Sequence, residues 1–219
     1  MAFEARIARG NGVDAVYAAR ADLLERALME AVARGCSGII SFGTAGGLAP
    51  DLAPGTLIVA DAVEGPLGRV LTDVRWSGRI AAALAATPLA AKLRRGRMAA
   101  VTAPLVGAAD KTARYRATGA LAVDMESHIA GAIAGANALP FAVCRAIVDP
   151  AWRTLPSAAT AGLQDDGTTA LGPILRELLK QPSQIGPLLQ LAADARAART
   201  SLVDARRVLE QAAALTIVL

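Results

Sequence analysis

Three short segments of this 219-residue chain carry groups able to handle a charged or hydroxylated ligand. In the first, Ser41-Phe42-Gly43-Thr44-Ala45-Gly46-Gly47, a short apolar run ends in what reads as a glycine-rich turn. Backbone N–H groups there can approach an anion or a sugar without a Cβ in the way, and Thr44 adds a hydroxyl. Alone the turn is weak evidence, since many α/β turns contain glycine. In the second, Val123-Asp124-Met125-Glu126-Ser127, an acidic pair stands where a strand gives way to a helix. A carboxylate so placed can take both hydroxyls of a ribose, and Met125 offers a soft apolar surface to a sugar or base. On spacing alone, Glu126 serves equally as a first-turn acid facing the helix dipole. In the third, Cys144-Arg145-Ala146-Ile147-Val148-Asp149-Pro150, Asp149 ends an apolar strand. It is expected at the same carboxyl edge of the sheet, partly desolvated and able to hold or share a proton. A plain strand-end turn before proline is the alternative. Arg145 reads as a buried partner for a nearby carboxylate. Protonating a purine makes it a leaving group while the ribose becomes cation-like, so these groups suit cleavage of a purine–ribose bond.

Positioning them requires strands and helices in alternation. Helical spacing of Leu23, Leu24, Ala27, Leu28, Ala31 and Val32 predicts a helix over Asp22–Arg34, stopped by Gly35. Strands are expected at Gly38–Phe42, Thr56–Ala60, Met98–Pro104, Leu121–Asp124 and Pro140–Val148, the last an apolar run suited to a strand covered on both faces. Helices are expected at Ile80–Ala86, at Ala109–Ala117 with Lys111, Arg114 and Arg116, and at Glu126–Asn137, which is apolar almost all round and so buried. The pattern predicts a three-layer α/β/α fold with a mostly parallel, mixed central sheet. One α/β domain is expected over 1–180, followed by a helical extension over 181–219. In that extension Leu188, Leu191, Ala195, Ala198, Leu202, Ala205, Leu209 and Ala212 form a seam for the domain or a second subunit. Arg196, Arg199, Arg206 and Arg207 lie off the seam, as a solvated face or a contact with an anionic membrane.

Composition excludes several classes. Apolar residues make up 54%, with alanine dominant, whereas aromatics are only 3%; the formal charge of +4 is mild and dispersed. Nucleic-acid binding would want aromatics among the basic residues. The only cysteines, Cys36 and Cys144, read as buried thiols of a reducing cytoplasm. A single histidine, His128, argues against a histidine metal site or a Ser-His-Asp triad. Residues 1–12 lack the apolar core of a signal peptide, and no apolar run approaches the ~20 residues that span a bilayer.

The order GTAGGL, VDMES, CRAIVD resembles the nucleoside phosphorylase/nucleosidase superfamily, over roughly Phe3 to Asp149. That resemblance implies a mixed sheet curling toward a barrel. It implies Asp149 as the acid that protonates the purine, Glu126 with Met125 at the ribose, and Gly43 and Thr44 at phosphate or the catalytic water. Phosphorylases of the superfamily place an arginine in the first loop for phosphate; nucleosidases place a water-activating glutamate. Arg6 takes that position in the expected register, with Glu4 two residues earlier, so phosphorolysis is favoured over hydrolysis. Ser41 stands where some phosphorylases carry a second phosphate arginine, a loss Arg20 could compensate. The family opens with a strand before this loop, and this sequence opens on the loop. The stretch Ala2–Ala8 and the Ser127-His128 pair resemble the hopanoid-associated branch, which implies release of adenine from adenosylhopane, a lipid-linked nucleoside. Inorganic phosphate as co-substrate, no metal or organic cofactor and a homo-oligomer complete the expectation, with a cytoplasmic location, peripheral to the inner membrane through the C-terminal helix. The alternatives are a methylthioadenosine/adenosylhomocysteine nucleosidase and a non-catalytic nucleoside-binding protein.

Overall fold

The computed structural model describes residues 2–18, 20–157, 159, 176 and 180–217. The chain opens not on a loop but on a helix, α1 (Ala2–Ala8), built from the good helix formers Ala, Glu and Arg. Helix α2 (Ala21–Ala33) buries Leu24 and Leu28, one turn apart, and Gly35 at φ +89° lets the chain leave it. Strand β1 (Ile39–Gly47) runs straight through the expected turn, so Gly43 to Gly47 are strand residues. Next come β2 (Leu57–Gly65) and a short partner, β3 (Gly68–Leu71), joined at Pro66-Leu67. Helix α3 (Val74–Ala85) starts six residues before the expected Ile80, because Asp73 caps it by accepting from the Trp76 N–H at 2.7 Å.

Strand β4 (Leu93–Ala100) also starts early. Arg94, Arg95 and Arg97 disguise its first half, and two of them pair across to β2: Arg95 with Asp61 at 2.5 Å, Arg97 with Glu64 at 3.2 Å. Then follow α4 (Ala108–Thr118), ended by Gly119 at φ +65°, β5 (Ala122–Asp124), α5 (Ser127–Ala136), β6 (Phe141–Asp149) and the long helix α6 (Ile185–Gln211).

The strands run in the order β3-β2-β4-β5-β1-β6, and β6 returns to pair antiparallel with β2. Five strands thereby close a ring. The sheet is mixed: β2–β4, β4–β5 and β1–β6 are parallel, whereas β1–β5, β2–β3 and β2–β6 are antiparallel. Helices α2 and α5 cover one apolar core with Ile58, Val143 and Ile147; α3 and α6 cover the other with Leu57, Val59 and Ala146. These layers are the expected three-layer α/β arrangement. The α6 seam packs into the second core through Ala198, Leu202, Ala205 and Leu209, all fully buried. The extension expected over 181–219 is thus folded onto the rest of the chain, and that stretch of seam is already covered. Arg206, expected on the polar face, is buried and donates to the Ala8 carbonyl at 2.9 Å. Among the described residues no helix is long and apolar enough to cross a membrane.

Candidate active site

Strands β1 and β6 run in parallel register, Gly43 opposite Arg145. The Arg145 guanidinium is buried and gathers the polar groups around it. It donates to Ser41 Oγ at 2.7 Å and to the Thr44 carbonyl at 3.1 Å, and it pairs with Asp124 at 2.9 Å and Glu126 at 3.3 Å. Ser127 donates to Asp124 through both its hydroxyl and its N–H, and its hydroxyl shares a 2.8 Å bond with Ser41. Asp124 and Ser127 therefore hold Arg145 from behind, while Glu126, its side chain 45% exposed, stands in front.

Glu4 completes the cluster from α1. Its Oε1 accepts from both the Thr44 N–H and the Thr44 hydroxyl, each at 2.7 Å. Gly43 is needed for this meeting, because a Cβ there would lie 2.8 Å from Arg145 Nη1 and 2.9 Å from Glu4 Oε1. Glu4, Ser41, Phe42, Glu126 and Arg145 all line one cavity of about 380 Å³. Burial pushes the Glu4 carboxyl up, but Arg145, then the amino terminus, and last the Thr44 hydroxyl together outweigh it and hold Glu4 below the ordinary range. For Glu126 burial prevails over Arg145, helped by the charges of Asp124 and Glu4, and its carboxyl is raised.

Asp149 sits apart from this cluster. Strand β5 runs antiparallel to β1, so the chain after Asp124 turns back toward Ser41, whereas β6 continues outward to Asp149, opposite Gly46. Glu126 and Asp149 therefore do not share one strand edge as expected; at ~3.3 Å per residue, Asp149 lies about 13 Å along β6 from Arg145. A bulge at Val148 breaks the β1–β6 register just before Asp149, a device that re-aims the side chain it precedes. Asp149 is buried, with Lys111 Nζ on its Oδ2 at 2.5 Å and its Oδ1 buried without a hydrogen-bond partner among the described residues. Burial raises its carboxyl despite Lys111, and burial likewise lowers Lys111 despite Asp149. Met125 packs against a small core of Leu48, Ala99, Val101, Ala120 and Val123.

Two expected phosphate ligands lie elsewhere. Arg6 is exposed on α1, since the helix turns Glu4, two residues earlier, inward instead. Arg20 is exposed and bonded to Asp22 at 2.8 Å. Among the described residues no group of His, Cys, Asp and Glu is placed to hold a metal ion. Burial pushes the Cys144 thiol up to about 12, which removes it as a nucleophile. Lys111 carried no signal in the sequence beyond its place on a basic helix. Asp124 was legible as half of an acidic pair.

A ring of mixed strands between helical layers, with carboxylates and an arginine gathered on it, defines an α/β protein of the phosphorylase superfamily. The chain belongs to that family, which matches residues 7–180; Glu4 stands just before the matched stretch. Among solved structures the chain is similar to a futalosine hydrolase of Helicobacter pylori, at 16% identity and TM-score 0.59, over 88% of this chain and 73% of that one. It is also similar to the 5'-methylthioadenosine/S-adenosyl homocysteine nucleosidases of Helicobacter pylori (16% identity, TM-score 0.58, 85% and 72%) and Campylobacter jejuni (17%, 0.55, 82% and 71%). No curated protein matches it.

Proposed function

We propose that the protein cleaves the N-glycosidic bond of an adenine nucleoside with water as the nucleophile. The observation that carries this reading is Glu4, buried against Thr44 in the cavity that Glu126 and Arg145 also line. Glu4 takes a proton from water there as the water attacks the sugar, Glu126 accepts from the ribose hydroxyls, and Asp149 protonates the departing purine. A phosphate dianion is poorly served by the same place. The Arg145 guanidinium and the amino terminus face three carboxylates, Glu4, Asp124 and Glu126, so the cluster is still negative, and a further anion beside it is disfavoured. The exposure of Arg6 removes the residue that favoured phosphorolysis. Structures of hydrolases and nucleosidases are among those the fold resembles.

For the substrate, the likeness of Ala2–Ala8 and Ser127-His128 to the hopanoid-associated branch favours adenosylhopane. Exposed Arg196, Arg199 and Arg207 on α6 suit an approach to an anionic membrane where such a lipid resides. The test is adenine release from adenosylhopane, methylthioadenosine and adenosylhomocysteine, each with and without phosphate. Release without phosphate is expected from at least one. Release that needs phosphate overturns hydrolysis, and no release from any overturns the catalytic reading.

A further inference from the structure

Lys111 is a fully buried lysine. Its ammonium has three N–H donors and finds three acceptors: Asp149 Oδ2 at 2.5 Å, the Arg153 carbonyl at 2.8 Å and the Pro150 carbonyl at 3.3 Å. The bonds tie α4 to the end of β6 and to the segment after it. Neighbouring contacts brace the same junction: Leu155 N–H donates to the Val106 carbonyl at 3.0 Å, and Ala108 N–H to Thr154 Oγ1 at 3.3 Å. With Oδ2 taken from behind, Asp149 has one oxygen left, Oδ1, and that atom is buried with no hydrogen-bond partner among the described residues.

We propose that Lys111 is the positioning residue of Asp149: it fixes the carboxyl so that only Oδ1 faces the purine, and it holds the charge that forms there in the reaction. The inference rests on the nucleoside-cleavage reading. The proton balance is simple. The Oδ1 proton moves to a purine ring nitrogen as the glycosidic bond breaks, the bonding electrons leave with the base, and the carboxylate left behind is held by the Lys111 ammonium. Water supplies the new bond to the sugar, losing its proton to Glu4, and once the products depart Glu4 releases that proton to solvent while Asp149 takes one up. A bare carboxylate formed in a buried place without a cation would be costly, so the lysine matters most in the transition state.

The sign of the pH effect follows. Asp149 must be protonated to act, so activity falls as pH rises through its pKa. Lys111 favours the carboxylate form, Arg153 favours it more weakly and Asp194, paired with Arg153, opposes it; removing Lys111 therefore moves that alkaline limb to higher pH while making the acid weaker.

The experiment compares Lys111→Met, Lys111→Arg and Asp149→Asn with wild type on an adenine nucleoside and on 4-nitrophenyl riboside, whose leaving group departs without a proton. Lys111→Met is expected to lose adenine release on the order of 100-fold in kcat with KM little changed, shift the alkaline limb upward, and keep most of its nitrophenyl riboside hydrolysis. Lys111→Arg, which keeps a cation, is expected to recover part of the loss; if Lys111→Met fails to fold, Lys111→Gln is read in its place, and a kcat equal to wild type with an unmoved limb in that variant overturns the proposal. Adding Lys111→Met to Asp149→Asn is expected to cost little more than Asp149→Asn alone. Equal losses on both substrates, or an unmoved pH limb, overturn the positioning role. Wild type that releases adenine beside an unimpaired Lys111→Met overturns this inference alone; wild type that releases none overturns the functional reading with it.

Discussion

Thr44 offers Glu4 two donors at one oxygen, and a side-chain amide could still accept both. Glu4→Gln is therefore expected to preserve the fold and lose on the order of 100-fold in kcat, since glutamine cannot take a proton from water. Gly43→Ala tests the same contact from the other side: its Cβ must displace the tips of Arg145 and Glu4, so activity is expected to fall with little change in melting temperature. Full adenine release by Glu4→Gln would remove Glu4 from the chemistry. The positions of Glu126 and Asp149 were legible in the sequence because the one follows an apolar strand and the other ends one, although the antiparallel run of β5 beside β1 keeps them from sharing one strand edge. Lys111 was not, because beside Arg114 and Arg116 it reads as one more solvated charge, and only the closure of α4 onto the end of β6 buries it.

Among the elements, α3 shows how one cap decides a boundary. Asp73→Ala removes the acceptor of the Trp76 N–H and is expected to cost about 1 kcal/mol in a denaturant titration, with adenine release unchanged. A loss of activity would show that the start of α3, whose Trp76 lines the same cavity as Glu4 and Arg145, is coupled to the site. Strongly patterned elements were legible: α2 by its apolar spacing, α5 and β6 by continuous apolar character that full burial explains. Missed boundaries share a cause in pairing across the sheet. β4 hides behind arginines that need Asp61 and Glu64 of β2, and β1 continues through glycines that β6 and β5 hold extended. Helix α1 was missed for the same kind of reason, and with it the inward turn that exchanges Arg6 for Glu4.

Across the whole molecule, α1 is held by α6. Buried Arg206 donates to the Ala8 carbonyl at 2.9 Å and the Arg9 carbonyl at 3.4 Å, and pairs with Glu210 at 3.1 Å. Arg206→Met is expected to raise hydrogen exchange over residues 2–8 and lower kcat less than Glu4→Gln does, while the strands keep their protection; unaltered exchange would show that β1 contacts alone hold α1. Since α6 spends much of its seam on its own chain, a homo-oligomer would form through other surfaces. The Arg206 clamp also has a bearing on biosynthesis. Glu4 leaves the ribosome about 200 residues before Arg206, a lag on the order of 10–40 s at roughly 5–20 residues per second. Until that late arginine emerges, α1 has its hydrogen bonds to Thr44 but not the clamp from α6, so the helix that bears Glu4 takes its final seat only near the end of translation.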